Sequence, residues 1–409
     1  MSLLSVLILT ETYLPVVGGG ERQAEVLAEG LRARGIAVSL LTRRSDPTLL
    51  ETERVGGVDV YRLPPVGRGQ MKKWGLAWSC IPALIRLRRK YDLVFVSGFR
   101  IVGMSAVLVA KALGKAVVLK ADSQGEMSGE YFANGLKRIG MTPASPPFRL
   151  FLALRNLVLR RADACVAITD GVSAELSKAG VRPDLVHPIP NAVDTKRFCP
   201  ASEEERLALR ERLGIPSSET VLIYTGRLVS YKGLPLLLRV WKEIRAEREG
   251  VRLILVGSGG LDIHNCESDL REYVRRHQLE DSVFFTGNVD NVPDYLRVSD
   301  IFVLPSEDDA FPSSLVEAMA CRLAVVVTPV GAMGSIVAHE RSGLLVAPGD
   351  GGSLREALLR LVGDRSLQDR LGAAGERSVA ERYGADLVTG RMLELFRSLR
   401  PHRTGKTDR

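Results

Sequence analysis

Two segments in the second half of the chain carry residue types suited to phosphate and sugar chemistry. The first reads Tyr224-Thr225-Gly226-Arg227-Leu228-Val229-Ser230-Tyr231-Lys232-Gly233. It places two cations after an apolar run, Val221 to Thr225, that reads as a strand. Arginine offers a planar fork to two phosphate oxygens, and lysine adds a compact charge. The second runs from Pro305-Ser306-Glu307-Asp308-Asp309 through Ala310-Phe311-Pro312-Ser313-Ser314-Leu315-Val316-Glu317 to Ala320. It places Asp309 ahead of a helix starting near Ser313 and Glu317 one turn inside it. The free amides and dipole of such a helix start attract anions. Cations for phosphates and carboxylates for sugar hydroxyls together suit a nucleotide diphosphate sugar. Each motif also has a plainer reading: two surface cations, and a capping box made by Ser314 and Glu317. The capping box does not account for Asp309-Ala310-Phe311-Pro312.

Two glycine-rich turns follow strands. Gly18-Gly19-Gly20 stands between the first strand and a helix, where it could bring backbone amides close to a ligand. Gln23 occupies the last glycine position of GxGxxG, and no acidic residue closes the second strand, so a nicotinamide or flavin site is weakly supported. Gly257-Ser258-Gly259-Gly260 reads as a tight strand-to-helix turn.

Strands that could position these loops recur along the chain. Ser5 to Leu9, Ala37 to Leu41, Val58 to Arg62, Leu93 to Val96, Ala116 to Leu119 and Ala164 to Ile168 form one series, with an amphipathic helix over Glu21 to Arg34. Val221 to Thr225, Arg252 to Val256, Val283 to Thr286, Ile301 to Leu304 and Ala324 to Thr328 form a second. The rhythm predicts parallel sheets covered on both faces, in two doubly wound Rossmann-like domains facing a central cleft. Ligands in such sheets sit beyond the carboxyl ends of the strands. The apolar rhythm stops around Asn191 to Pro216. The expected domains are therefore 1–195 and 196–380, followed by a helix over 381–400 that returns to the first domain and a disordered basic tail over 401–409.

The chain has 409 residues, 45% hydrophobic and 25% charged, enough for two ordinary globular cores. A net charge of +8 favours an anionic partner. Cys80, Cys165, Cys199, Cys266 and Cys321 are scattered and form no CxxC pair, which argues against disulfides and a zinc site and fits a reducing cytosol. The apolar start, Met1 to Thr10, reads as a buried strand, not a leader. No apolar run reaches the roughly 18 residues of a membrane span. Two basic amphipathic stretches, Arg68 to Lys90 and Lys137 to Arg161, fit either an anionic membrane surface or the core face of ordinary helices.

Taken in order, the motifs resemble those of glycosyltransferase family 4. The resemblance runs from Leu7 to about Tyr383. It comprises Tyr13-Leu14-Pro15 with the Gly18 to Gly20 loop, Ile189-Pro190-Asn191-Ala192-Val193-Asp194 with Phe198, and Gly226-Arg227-Leu228 with Lys232-Gly233. It continues through Leu255-Val256-Gly257-Ser258-Gly259 and Leu304-Pro305-Ser306 to the Asp309-to-Glu317 element. The resemblance implies a GT-B fold and a retaining, metal-independent hexosyltransferase acting on a glycan or lipid-linked hydroxyl, in cell-surface polysaccharide or glycoconjugate synthesis. Arg227 and Lys232 would neutralise the diphosphate leaving group. Glu317 would hold the ribose. Asp309, Phe311 and the amides near Ser313, Ser314 and Leu315 would hold the sugar and phosphates. Gly18, Gly19 and Gly20 would approach the diphosphate from the other domain, and domain closure would exclude water. Asp309, Arg227, Lys232 and Asp122 are the candidate catalytic residues, and Asp122, Glu126 and Asn191 the acceptor-side candidates. No cofactor and no nucleic-acid partner is expected. On family frequency the donor is a UDP-sugar, with a GDP-sugar next. The expected location is the cytoplasm or the inner face of the cell membrane.

Three positions depart from the family's pattern. Asp309 stands where a glutamate is usual, Ala192 where a glycine is usual, and Lys120 to Glu126 contains no histidine. Of the five histidines, His187 and His339 fall nearest the expected loops and read as surface or structural. Two other readings stay open at this point: a nucleotide-sugar epimerase on the same scaffold, and an inactive nucleotide-sugar-binding or membrane-surface protein. A phosphorylase would call for a pyridoxal lysine and a longer chain.

Overall fold

The computed structural model describes residues 4–16, 18–67, 70–137, 140–260 and 262–399. The basic tail, Pro401 to Arg409, lies outside the described residues, as do Arg68 and the first three residues. The chain forms two units. One comprises the chain up to Ala192 together with the segment from Ala385 onward, and the other comprises Val193–Gly384. The two passages between units run side by side: Val193 N donates to Tyr383 O at 2.8 Å, and Val193 bridges to Gly384.

Unit 1 is built on an eight-stranded sheet: β1 (Ser5–Thr10), β2 (Ala37–Arg43), β3 (Thr52–Val55), β4 (Val58–Leu63), β5 (Leu93–Ser97), β6 (Ala116–Lys120), β7 (Ala164–Ala167) and β8 (Val186–Pro188). Their spatial order is β3-β4-β2-β1-β5-β6-β7-β8, parallel throughout except β3 against β4. The inner strands β5, β6 and β7 are buried along their whole length, as their unbroken apolar sequences require when helices cover both faces. Strand β3 was not expected. Its sequence, Thr-Glu-Arg-Val, is polar and half exposed, and it is held at the sheet edge by a hairpin whose two glycines, Gly56 and Gly57, have φ of 55° and 78°. That Gly-Gly pair is the hairpin signal.

Five helices of unit 1 matter below: α1 (Gly19–Ala33), α2 (Gln70–Arg86), α3 (Val102–Ala112), α4 (Ala133–Lys137) and α5 (Pro146–Leu159). The last helix of the chain, Ala385–Ser398, packs on α1. Its Val388, Met392, Leu393, Leu395 and Phe396 are buried in the unit 1 core, where Phe396 meets Phe95 at 5.6 Å between ring centres. Helix α5 buries one face and leaves leucines exposed on the other. Its core face consists of Phe148, Leu152, Arg155 and Leu159, while Leu150, Leu154 and Leu157 face solvent.

Unit 2 carries β9 (Thr220–Thr225), β10 (Val251–Val256), β11 (Val283–Gly287), β12 (Ile301–Leu304), β13 (Ala324–Val327) and the two-residue β14 (Leu344–Leu345). The order is β11-β10-β9-β12-β13-β14, all parallel. Each sheet therefore reverses its strand order beside one central strand: β1 in unit 1, where the chain turns first to β2 and later to β5, and β9 in unit 2, between β10 and β12. Such reversal points open a crevice at the carboxyl ends.

A buried ion cluster braces unit 2. Asp300, ahead of β12, pairs with Arg210 at 2.9 Å, Arg206 at 2.6 Å and Arg365, and accepts the Val221 amide at 2.8 Å. It thereby ties helix Glu203–Arg212 and helix Arg365–Arg382 to the central strands. Burial favours the protonated carboxyl, but the three guanidiniums and the amide outweigh it and hold Asp300 below its ordinary pKa.

Candidate active site

In unit 2 the reversal point carries the two sequence-predicted cations. Gly226, at φ 147°, turns the chain out of β9. The next strand end fits closely over it, because a Cβ on Gly257 would overlap the Gly226 carbonyl oxygen. Tyr224 anchors the loop from below by donating its hydroxyl to Arg227 O at 2.7 Å. Burial raises the Tyr224 phenol well above its usual pKa. The Arg227 side chain is 62% exposed; it pairs with Asp262 and donates to the Tyr231 hydroxyl at 2.9 Å. A single 3-10 turn, Ser230–Lys232, then delivers Lys232.

Gly233 ends that turn at φ 73°, and a Cβ there would overlap the Pro305 carbonyl oxygen. Only glycine lets the β9 loop sit this close to the β12 loop. The closeness brings Lys232 into an ion pair with Asp309, with side chains only 15% and 12% exposed. Further bonds tie the two loops. Glu307 N donates to Tyr231 O at 2.8 Å, and Ser306 Oγ donates to the same oxygen at 3.1 Å.

Helix Ser313–Ala320 begins after Pro312, with no side-chain cap. The capping box expected at Ser314 and Glu317 is therefore not what starts this helix, and Glu317 lies in its second turn. A real capping box stands elsewhere: Ser202 and Glu205 exchange bonds of 2.9 and 3.2 Å. Of the three predicted donor amides, Leu315 N is engaged by Pro312 O at 3.1 Å. Its side chain is fully buried, which leaves the Ser313 and Ser314 amides as the helix's N-terminal donors. Phe311 is buried and packs edge-on to Tyr383 at 5.9 Å.

In unit 1 the reversal point holds Asp122 and the glycine turn. A cavity of 260 Å³ opens at the ends of β1, β5 and β6, lined by Thr10, Glu11, Gly20, Glu21, Arg100 and Asp122 among others. Asp122 receives Lys120 Nζ at 2.8 Å and Ser97 Oγ at 3.2 Å on one oxygen. Its other oxygen faces two glycines: a Cβ would lie 3.2 Å from it at Gly20 and 2.7 Å at Gly98, whose φ is 68°. Gly18 is the N-cap of α1, and Gly19 and Gly20 form its first turn.

Two acceptor-side candidates, Glu126 and Asn191, have buried settings. Glu126 is fully buried and serves as a brace: it accepts the Asp122 and Ser123 amides at 3.0 and 3.1 Å and pairs with Arg100 at 3.2 Å. Burial, with Asp122 adding to it, raises its pKa, and Arg100 opposes the rise. Asn191 is buried, its Oδ1 has no hydrogen-bond partner, and it does not line the cavity. His187 is half-buried with its pKa lowered by burial, and His339 Nδ1 accepts the Leu345 amide at 2.9 Å. Both have structural settings.

Sequence reasoning missed Asp262, which orients Arg227, and Arg100, Glu11 and Glu21, which line the cavity. Glu11 directly follows β1 and Arg100 follows Gly98 at the end of β5, so strand-end position was the available signal for both. Asp262 carried no signal, because its partner stands 35 residues away.

Residues 18–192 match the glycosyl transferase 4-like domain, and residues 205–378 match the glycosyl transferases group 1 domain. The chain belongs to the family 4 glycosyltransferases. Its two parallel-sheet units have the GT-B fold. Sucrose-phosphate synthase of Thermosynechococcus elongatus superposes with a TM-score of 0.77 at 22% identity, covering 97% of this glycosyltransferase and 99% of that chain. HepE of Anabaena, solved in complex with UDP-glucose, superposes at 0.76 with 20% identity over 97% and 100%. In sequence, the D-inositol 3-phosphate glycosyltransferase of Kineococcus radiotolerans is 29% identical over 93% of this glycosyltransferase and 90% of its own length. Among the described residues no helix is long and apolar enough to cross a membrane.

Proposed function

We propose that this glycosyltransferase moves a hexose from a nucleotide diphosphate sugar to a hydroxyl of a glycan or lipid-linked acceptor, with retention at the anomeric carbon and without a bound metal. One observation carries the reading: Arg227, Lys232, Asp309 and the start of helix Ser313–Ala320 converge on the carboxyl ends of β9 and β12, where the strand order reverses. In the reaction the bond from the anomeric carbon to the diphosphate oxygen breaks, a bond to the acceptor oxygen forms, and the acceptor proton leaves. Negative charge grows on the departing diphosphate. Arg227, Lys232 and the Ser313 and Ser314 amides would neutralise it from fixed positions, taking the part a metal ion would otherwise play. Glu317 would hold the ribose hydroxyls and Asp309 the transferred sugar.

The glycine turn and the unit 1 cavity supply the second half of the reading. Carboxylates at Glu11, Glu21 and Asp122 suit a hydroxyl-rich acceptor, and Asp122 would orient the attacking hydroxyl. The UDP-glucose complex of HepE supports a UDP-sugar as donor, and the D-inositol 3-phosphate glycosyltransferase supports a polyol acceptor. The enzyme would serve cell-surface glycoconjugate synthesis at the inner face of the cell membrane.

Thermal unfolding against a panel of nucleoside diphosphates, with Arg227→Ala and Glu317→Ala beside the parent, tests the donor site. A rise in Tm with one nucleotide, lost in both variants, is expected. No rise with any nucleotide overturns the donor-site assignment. Product formation that persists in excess EDTA is expected, and its loss would overturn metal independence.

A further inference from the structure

The wall of the unit 1 cavity is polar throughout. Thr10, Thr12 and Ser97 join Glu11, Glu21 and Asp122, and among the described residues no apolar side chain lines it. Its 260 Å³ lies just under the roughly 300 Å³ at which pockets for drug-sized ligands begin, a size that suits one sugar or cyclitol ring. An acyl chain would find no apolar wall there.

A phosphate would call for a cation, and Arg100, just ahead of α3, is the single one among the described residues lining the cavity. Its guanidinium is already engaged on every side. Nε donates to Glu126 Oε1 at 3.2 Å, one terminal nitrogen donates to the Tyr131 hydroxyl at 3.1 Å, and the other lies 3.5 Å from Ser123 Oγ. The guanidinium carbon also sits 4.0 Å from the centre of the Tyr131 ring, in the turn before α4. Burial lowers the Arg100 pKa, but Glu126, Tyr131, Asp122 and Glu11 outweigh it and raise it overall. The loop that carries Glu126 is itself clamped. Glu175 accepts the Gly125, Met127 and Ser128 amides at 2.7, 2.7 and 2.8 Å, and Arg155 of α5 donates to the carbonyl oxygens of Arg100 and Glu126.

The other cations nearby are engaged as well, and neither lines the cavity. Lys120 Nζ is bonded to Asp122 at 2.8 Å. Arg43, which faces Glu11, is buried and donates to Gly67 O ahead of α2. Four carboxylates, Glu11, Glu21, Asp122 and Glu126, thus stand against three cations, Arg43, Arg100 and Lys120. A phosphate, with its charge of about −1.5 to −2, would meet like charge in a half-enclosed space, where repulsion is less screened than in bulk water. A sugar hydroxyl can instead donate to these carboxylates, and an ammonium gains from them.

We propose that this cavity selects its acceptor by charge: it admits a ring whose entering end bears hydroxyls or an amine and turns away the same ring bearing a phosphate, because Glu11 and Glu21 repel the anion while Glu126 and Tyr131 keep Arg100 engaged. Discrimination of this kind works through a repulsive element as much as an attractive one. The inference rests on the proposed acceptor role of the cavity and adds the class of ring it takes.

The test titrates the full chain, with and without UDP, with glucose, glucosamine and myo-inositol, each beside its monophosphate. Ligand-observed NMR reads the binding, since it registers weak affinities. A Glu11→Gln, Glu21→Gln variant runs beside the parent protein. Glutamine keeps the shape and hydrogen-bonding reach of each side chain, and the melting temperature checks the fold. In the parent protein an unphosphorylated ring should bind at least about tenfold more tightly than its phosphate. In the variant that gap should fall below about threefold, because the phosphate gains. A phosphate that binds the parent protein as tightly as its unphosphorylated ring, or a gap that the variant leaves unchanged, overturns the selection by charge and leaves the acceptor role standing. Failure of every ring to bind overturns the acceptor role of the cavity, and the selection with it.

Discussion

At the residue scale, the decisive contact is the one between Lys232 and Asp309, which stand 77 positions apart. The sequence motifs assigned the lysine to phosphate and the aspartate to sugar, and nothing in their spacing paired them. The structure pairs them, so in the ligand-free protein Asp309 already occupies part of the charge that a phosphate would seek. Asp309→Asn should therefore split two properties that usually move together. Affinity for the nucleoside diphosphate should rise by up to about tenfold, because Lys232 is released. Transfer should slow, because the carboxylate facing the sugar is gone. Calorimetric binding beside initial rates would show the split, and weaker binding in the variant would refute the competition. Asp122 was legible from its place just after β6, and its lysine and serine partners were not. Glu126 and Asn191 were read as site residues because they sit in the right segments. The structure buries both, and burial depends on how neighbouring segments pack and has no signature in the local sequence.

At the element scale, the parallel strands were legible because full burial on both faces writes itself as unbroken apolar runs such as Leu93 to Val96. The elements that escaped are those stabilised by edges and turns: β3 by its two glycines, and the short β8 and β14 by pairing alone. The Asp300 brace also escaped, because its three arginines come from positions 206, 210 and 365. Its sign with pH can be worked out. The folded-state pKa lies below the ordinary value of 3.8, so its stabilisation is fully present above that pH and is lost as pH falls through the folded pKa. Asp300→Asn should destabilise unit 2 by about 3 kcal/mol at neutral pH, since it leaves three guanidiniums short of their counter-charge. The gap between parent and variant should close as the pH is lowered below 3.8, and melting curves at stepped pH would reveal it. A gap that stays constant down to pH 2 would show the effect to be one of packing.

At the scale of the whole molecule, unit 2 is one continuous stretch, Val193–Gly384, set inside a unit 1 whose core is finished by the final helix. Five buried side chains of that helix, each worth about 1.5–3 kcal/mol, sum to on the order of 10 kcal/mol. That is comparable to the entire stability of an ordinary domain. Ending the chain after Gly384 should therefore unfold unit 1 while unit 2 keeps its own melting transition and its response to nucleotide. A single transition lost in full would contradict the independence of the two cores. The same arrangement bears on how the protein is made. Domains emerging from the ribosome usually fold in the order of their synthesis. Here the first domain to emerge must wait, its α1 face uncovered, until the segment from Ala385 leaves the exit tunnel, so the later-made domain is complete first. During that interval the nascent chain holds a half-closed Rossmann-like sheet and a finished one, and its need for a chaperone should end once helix Ala385–Ser398 has emerged.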